Sequence, residues 1–201
     1  MVWKTGGGGI DEKLLLEGLQ RAENCFSVSN NKRYYSSNGE IKYSLMHSVQ
    51  SAILLYYLSN TAYRDTNYCL ANELYYLNKI MHGVDWFYEI ELPDVFGAEH
   101  PVGSVLGRAR YGEYLFLHQN TTIGSSIKKY PEIGNNVVLC ANSSVLGNCR
   151  IGQNVIISSG TTLVNKDIPD NCIVFSDGKV RIYEIEEIVK KISILTDFKP
   201  G

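Results

Sequence analysis

From 133 to 168 a branched aliphatic recurs at every sixth position: Ile133, Leu139, Val145, Ile151, Ile157 and Leu163. The residue four places after each of the first five is small or branched: Val137, Ser143, Cys149, Val155 and Thr161. A helical period would smear these positions around a cylinder, and an alternating strand would need apolar residues where Asn135, Asn142, Asn148 and Asn154 stand. A short fixed repeat of this kind predicts a parallel β-helix, in which each six-residue unit is one strand plus a turn and successive coils stack. Three units make a triangular coil, so 133–150 and 151–168 read as two coils with Ile, Leu and Val pointing down the axis. The pattern runs backward through Ile123, Leu117 and Tyr111, then slips by one residue to Leu106. Ile133 lies ten positions after Ile123 rather than six, so four extra residues near 128–131 are expected to leave the coil as a loop.

The flanks follow another pattern. Leu45, Met46, Val49, Ala52, Ile53, Tyr56 and Tyr57 keep helical spacing within 42–63, and Cys69, Leu70, Leu74, Tyr75, Leu77 and Met81 do so within 66–82. Asp65 is the expected cap of the second helix and Gly83 its stop. An earlier helix through Leu14, Leu15, Leu16 and Leu19 has Asp11 as cap, after a flexible start containing Gly6 to Gly9; 27–40 reads as loop. After Ile168 a turn at Asp177-Gly178, a strand over 179–183 and a helix over 184–194 are expected, the helix covering the last coil or a neighbouring subunit. The chain therefore reads as α+β: a helical domain over 1–83 that caps the open first coil, a β-helix over 84–175, and a tail over 176–201.

Composition narrows the class. A net charge of −2 without blocks of like charge gives no footprint for nucleic acid. The five cysteines are odd in number and lack a C-x-x-C pair, which favours a reduced, cytoplasmic setting over a disulfide framework or a metal site. No apolar run approaches the roughly 20 residues of a membrane span, and the N-terminus carries no secretory signal.

Helical domain, β-helix and short tail, over about residues 42–175, resemble the bacterial serine acetyltransferases of the hexapeptide-repeat acyltransferases, whose β-helix is left-handed. That family has a Val-Asp-Ile-His-Pro segment, then an Asp-His pair whose His lies fifteen residues after that Asp, with glycines three and seven residues beyond. Here Val84-Asp85 is followed at that distance by His100, preceded by Glu99, with Gly103 and Gly107 in register. Downstream, Thr122-Ile123-Gly124 resembles the family's Thr-Leu-Gly, 129–134 its Arg-His-Pro-Lys-Ile, and Val145-Leu146-Gly147-Asn148 its Ile-Leu-Gly-Asn. The resemblance implies acetyl transfer from acetyl-CoA to a hydroxyl in a ternary complex, with no metal. His100 would take the hydroxyl proton, and Asp85 would orient its ring and stabilise the imidazolium. His118 is a weaker candidate base, and His47 and His82, on or beside the helices, read as structural.

For acetyl-CoA the resemblance implies main-chain contacts in a groove between neighbouring β-helices, at Gly124, Ala141, Ser143, Ser159 and Gly160, in a homotrimer with three sites. Those residues would be small in any β-helix. Lys166, Lys128 and Lys129 are candidate partners for its phosphates, with a solvated surface as the plainer reading of each. The chain departs from the family on the acceptor side. Glu99 stands for Asp, Lys129-Tyr130 for Arg-His, and 124–128 for a Gly-Gly-Thr-Gly-Lys run. Lysine lacks the bidentate fork with which arginine holds a carboxylate, so Glu99, Lys129 and Tyr130 suggest a changed acceptor pocket. Tyr130, Trp86 and Phe87 suit stacking on a sugar ring, and a sugar or polysaccharide hydroxyl is the expected acceptor. L-serine, an amino-sugar nitrogen and a non-catalytic scaffold are the alternatives.

Overall fold

The computed structural model describes residues 11–28, 40–196 and 198; the glycine run and most of the loop after the first helix lie outside them. Three helices come first, α1 (Glu12–Ser27), α2 (Ser48–Arg64) and α3 (Tyr68–His82). Asp11 caps α1 by accepting from the Lys13 N–H, and Gly83 ends α3 at φ 64°. Two expected boundaries are corrected. The second helix starts at Ser48 rather than near 42, because Gln50 turns its side chain back to bond Lys42 O and Ser44 N while His47 Nδ1 accepts from Gln50 N. Leu45 and Met46 are consequently exposed. Asn67, not Asp65, caps α3, accepting from Leu70 N at 3.2 Å.

Fourteen short strands then build three parallel sheets. One holds β1 (Asp85–Trp86), β3 (Val105–Leu106), β6 (Thr122–Gly124), β9 (Ser144–Leu146) and β12 (Thr162–Val164). The second holds β4 (Arg110–Tyr111), β7 (Glu132–Ile133), β10 (Arg150–Ile151) and β13 (Asp167–Ile168). The third holds β2 (Phe96–Ala98), β5 (Leu115–Leu117), β8 (Val137–Leu139), β11 (Val155–Ile157) and β14 (Cys172–Val174), with β15 (Val180–Ile182) antiparallel at its end. Each strand pairs with its counterpart one coil away, Ile133 beside Ile151 and Leu139 beside Ile157, so the six-residue period becomes columns of stacked aliphatics. Both predicted inward sets are buried, at 0–4% exposure.

The chain turns from sheet to sheet along three edges. The first edge joins the third sheet to the first (99–104, 118–121, 140–143, 158–161), the second joins the first sheet to the second, and the third joins the second sheet to the third. At the first coil the helices plug the open end. Tyr56 Oη donates to Ile90 O and accepts from Leu92 N, and the Tyr56 and Trp86 rings lie edge-on to Phe96. Helical and β-helical residues share one core, so residue 83 divides secondary structure rather than hydrophobic clusters. The last helix, α4 (Ile185–Thr196), lies along the outside of the third sheet: Ile188 and Ile192 pack with Val138 and Ile156, and Ile173 of the last coil borders the same cluster. Among the described residues no helix is long and apolar enough to cross a membrane.

Candidate functional site

The first-edge turn after β2 has six residues, where the equivalent turns after β5, β8 and β11 have four. The extra length carries His100, held at φ 50° and largely exposed. Its neighbour Glu99 continues the sheet, donating its N–H to Leu117 O at 2.9 Å, while His118 one coil along donates to Leu139 O. This stacking puts the Glu99 carboxylate between two imidazoles, 3.9 Å from His100 Nε2 and 4.0 Å from His118 Nδ1. Burial holds His118 below the usual histidine range and outweighs the opposing pull of Glu99; its Nε2 is buried without a hydrogen-bond partner.

Asp85 opens β1, and its carboxylate faces α3. It accepts from Tyr75 Oη and from Lys79 Nζ, each at 2.6 Å. Burial pushes this carboxyl up, but those two hydrogen bonds hold it below the ordinary range. Among the described residues no hydrogen bond or ion pair joins it to His100. Glu99 is the carboxylate at ion-pair distance from that ring.

A cavity of about 320 Å³ opens beside Glu99 and His100. His47 and Ser48 at the start of α2 supply further polar groups, and Phe116, Leu195 and Phe198 supply apolar ones. His47 thus lines the cavity as well as capping α2, whereas His82 is structural, its Nδ1 2.8 Å from Asn78 Oδ1. Of the proposed cofactor positions, Ala141, Ser143, Ser159 and Gly160 lie on this same first edge. Ser143 is buried and donates Oγ–H to Cys140 O; Ser159 and Gly160 are exposed.

The remaining predicted residues fall elsewhere. Gly124 ends β6 and Lys166 follows β12, both toward the second edge. There the turn after β6 has seven residues against three after β9, which is the expected four-residue excess. It forms a tight hairpin with Ser126 and Lys129 paired and Ile127 and Lys128 at positive φ, and Ile127 is 93% exposed. Lys128, Lys129 and Tyr130 border an open hollow of about 650 Å³ together with Arg108 and Arg110. Sequence reading passed over those two arginines, although their position one coil before the lysines follows from the repeat. Arg108 pairs with Glu89 at 3.1 Å, and its charge is further favoured by Tyr130.

The aromatic platform expected for a sugar is not assembled. Trp86 is buried with its indole N–H on Ser104 Oγ, and Phe87 packs on Tyr75 and Tyr88, so only Tyr130 is presented.

Comparison with known proteins supports the hexapeptide-repeat fold. The family described as bacterial transferase hexapeptide (six repeats) matches residues 130–165. The serine acetyltransferase of Synechococcus elongatus is 35% identical over 106 residues, covering 50% of this chain and 43% of the relative. The crystal structure of Neisseria gonorrhoeae serine acetyltransferase in complex with serine is 26% identical, with a TM-score of 0.67 over 81% of this chain and 71% of that one. Residues 130–165 thus carry the transferase hexapeptide repeat, and the chain is similar to serine acetyltransferases. The serine acetyltransferase of Staphylococcus xylosus is similar at 27% identity over 61% of this chain and 57% of its own. This hexapeptide-repeat chain thus spans about half the length of these two curated relatives.

Proposed function

We propose that the protein transfers the acetyl group of acetyl-CoA to the hydroxyl of L-serine, with His100 as general base. The observation that carries the reading is the Glu99–His100 pair at the mouth of a cavity, on the same edge as Ala141, Ser143, Ser159 and Gly160. The relatives' shared description as serine acetyltransferases supports serine over the saccharide expected from sequence, as does the buried Trp86.

In this reading neutral His100 takes the serine hydroxyl proton as the oxygen attacks the thioester carbonyl. The tetrahedral adduct then expels the CoA sulfur, which receives that proton, giving the acetyl ester and free thiol. No covalent enzyme intermediate forms. Positioned base catalysis of this kind contributes about 100- to 10,000-fold. Glu99 meets the serine ammonium, and its second oxygen stays with His118. Two carboxylates compete to orient His100: Asp85 by resemblance and Glu99 by proximity.

Lys129 and Tyr130 lie across the first sheet from His100, so they serve a neighbouring copy's site. This supports a homotrimer in which the first edge of one β-helix faces the second edge of the next, with acetyl-CoA between them and Lys166 toward its phosphates. Five free cysteines suit the reducing cytoplasm.

A thiol-release assay with acetyl-CoA tests the reading, comparing L-serine with nucleotide sugars and oligosaccharides and using His100→Ala as control. Turnover on serine that vanishes in the variant is expected; turnover confined to a saccharide overturns the acceptor, and silence without CoA binding favours a scaffold.

A further inference from the structure

The cavity beside His100 is walled by the chain's own C-terminal segment, a role that neither the repeat nor the catalytic residues require. Ile188 and Ile192 seat α4 on the outer face of the third sheet. Just beyond the helix, Phe198 is 7% exposed, its ring edge-on to Phe116 and Tyr114, each at 5.7 Å. Gly97 of β2 lies beneath both rings: a Cβ there would stand 2.8 Å from the Phe116 ring and 3.0 Å from Phe198 Cζ. Thr196 ties this turn together, donating Oγ–H to Ile192 O and accepting from Phe198 N. Leu195, Thr196 and Phe198 thereby border the same cavity as Glu99 and His100.

We infer that Phe198, with Leu195, determines acceptor specificity, closing the cavity so that it takes a free small hydroxy amino acid and rejects bulkier ones. The inference rests on the serine reading above and deepens it. Its physical basis is a polar floor able to meet ammonium and hydroxyl, set against an apolar wall whose position limits the size of what lies between. A segment packed on the outside of the coil can change without altering the repeat, so the wall is adjustable independently of the catalytic edge. Discrimination of one methylene by an apolar pocket amounts to roughly 10- to 200-fold, and serine differs from threonine by one methyl.

The test is the ratio of kcat/KM for L-threonine to that for L-serine, measured by thiol release with acetyl-CoA, in the wild-type chain and in Phe198→Ala and Leu195→Ala. This ratio is independent of how much of each preparation is folded, so partial loss of α4 packing does not confound it. In Phe198→Ala the ratio is expected to rise about tenfold, with KM for L-serine raised and KM for acetyl-CoA unchanged. Phe198→Leu, which keeps an apolar wall, is expected to stay near wild type. An unchanged ratio in both alanine variants, with serine still turned over, overturns the inference and leaves the proposed function standing. A wild-type chain silent toward every hydroxy amino acid overturns both.

Discussion

The first and third edges of the β-helix turn through similarly short loops, yet their small residues stand in different surroundings. On the third edge, a Cβ added to Gly134 would lie 2.6 Å from the Gly152 backbone, and one added to Gly112 would lie 2.5 Å from Gly134. Glycine is required there because successive coils touch. On the first edge, a Cβ at Gly160 would meet nothing within 4 Å. Its backbone, at φ 72°, matches Asn142 and Asn120 at φ 60° and 54° in the coils before it. Smallness closes the third edge on itself, whereas at Gly160 the first edge is open.

The contrast breaks most sharply at His100. Asparagine tolerates the left-handed backbone that His100 adopts, so His100→Asn isolates the imidazole. Thiol release with L-serine is expected to fall about 100- to 10,000-fold while the thermal midpoint stays put. A fall of less than tenfold would move the chemistry away from this edge.

Gly134→Ala tests the other side. It inserts a methyl group where coils are in backbone contact, so stability should drop by about 1–3 kcal/mol, read as a lower thermal midpoint. For a chain of this size that is on the order of 2–4 °C per kcal/mol. KM for L-serine in the folded fraction should not move; if it does, the third edge is not merely structural.

The second edge supplies a finer test, because Lys129 is proposed to act on a neighbour. Lys129→Ala should raise KM for L-serine about tenfold, the effect of roughly 1.4 kcal/mol. Mixing that variant with His100→Asn during assembly then creates sites having His100 from one copy and Lys129 from the next. About a quarter of the sites in an equal mixture would have both, so activity at low serine should exceed the mean of the two parents. Activity equal to that mean would put both residues in one chain's site.

How much of this was legible in the sequence differs along the chain for physical reasons. The coils from Leu106 onward were readable because one inward residue per strand must recur wherever strands stack in register. The first coil was not: nine residues separate β1 from β2, and that interval is set by Tyr56 and the helices plugging the coil rather than by stacking. The loop at 125–131 announced itself by interrupting the period. Helix starts failed where side chains decided them, as with His47, Gln50 and Asn67, since a cap depends on one local bond that apolar spacing does not encode. Glu99 and His118 sit nineteen residues apart, and only the coil length brings them together. Phe198 was invisible because its partners, Tyr114 and Phe116, lie on the outer face of a sheet whose inner face set the pattern.

The smallest expected effect separates the two carboxylates. Asp85 titrates below the ordinary carboxyl value because the hydrogen bonds from Lys79 and Tyr75 outweigh its burial. A depressed folded value means the unfolded chain binds the proton first as pH falls. The stability contributed by Asp85 is therefore full above about pH 4–5 and is lost as pH drops through the folded value. Both Asp85 and Lys79 remain substantially exposed, so the contribution is screened to about 0.2–1 kcal/mol. Asp85→Asn should lower stability near pH 7 by that amount and flatten its dependence on pH below 5, as followed by urea unfolding. If Glu99 orients His100, kcat and the acid limb of kcat/KM stay unchanged in this variant. If Asp85 leaves Lys79 and Tyr75 to orient His100 when substrates bind, kcat falls and the acid limb moves to lower pH, because removing a nearby negative charge makes the imidazole easier to deprotonate. Glu99→Gln would then affect serine KM alone, and the site would be built on the first sheet's β1 rather than on the edge beside it.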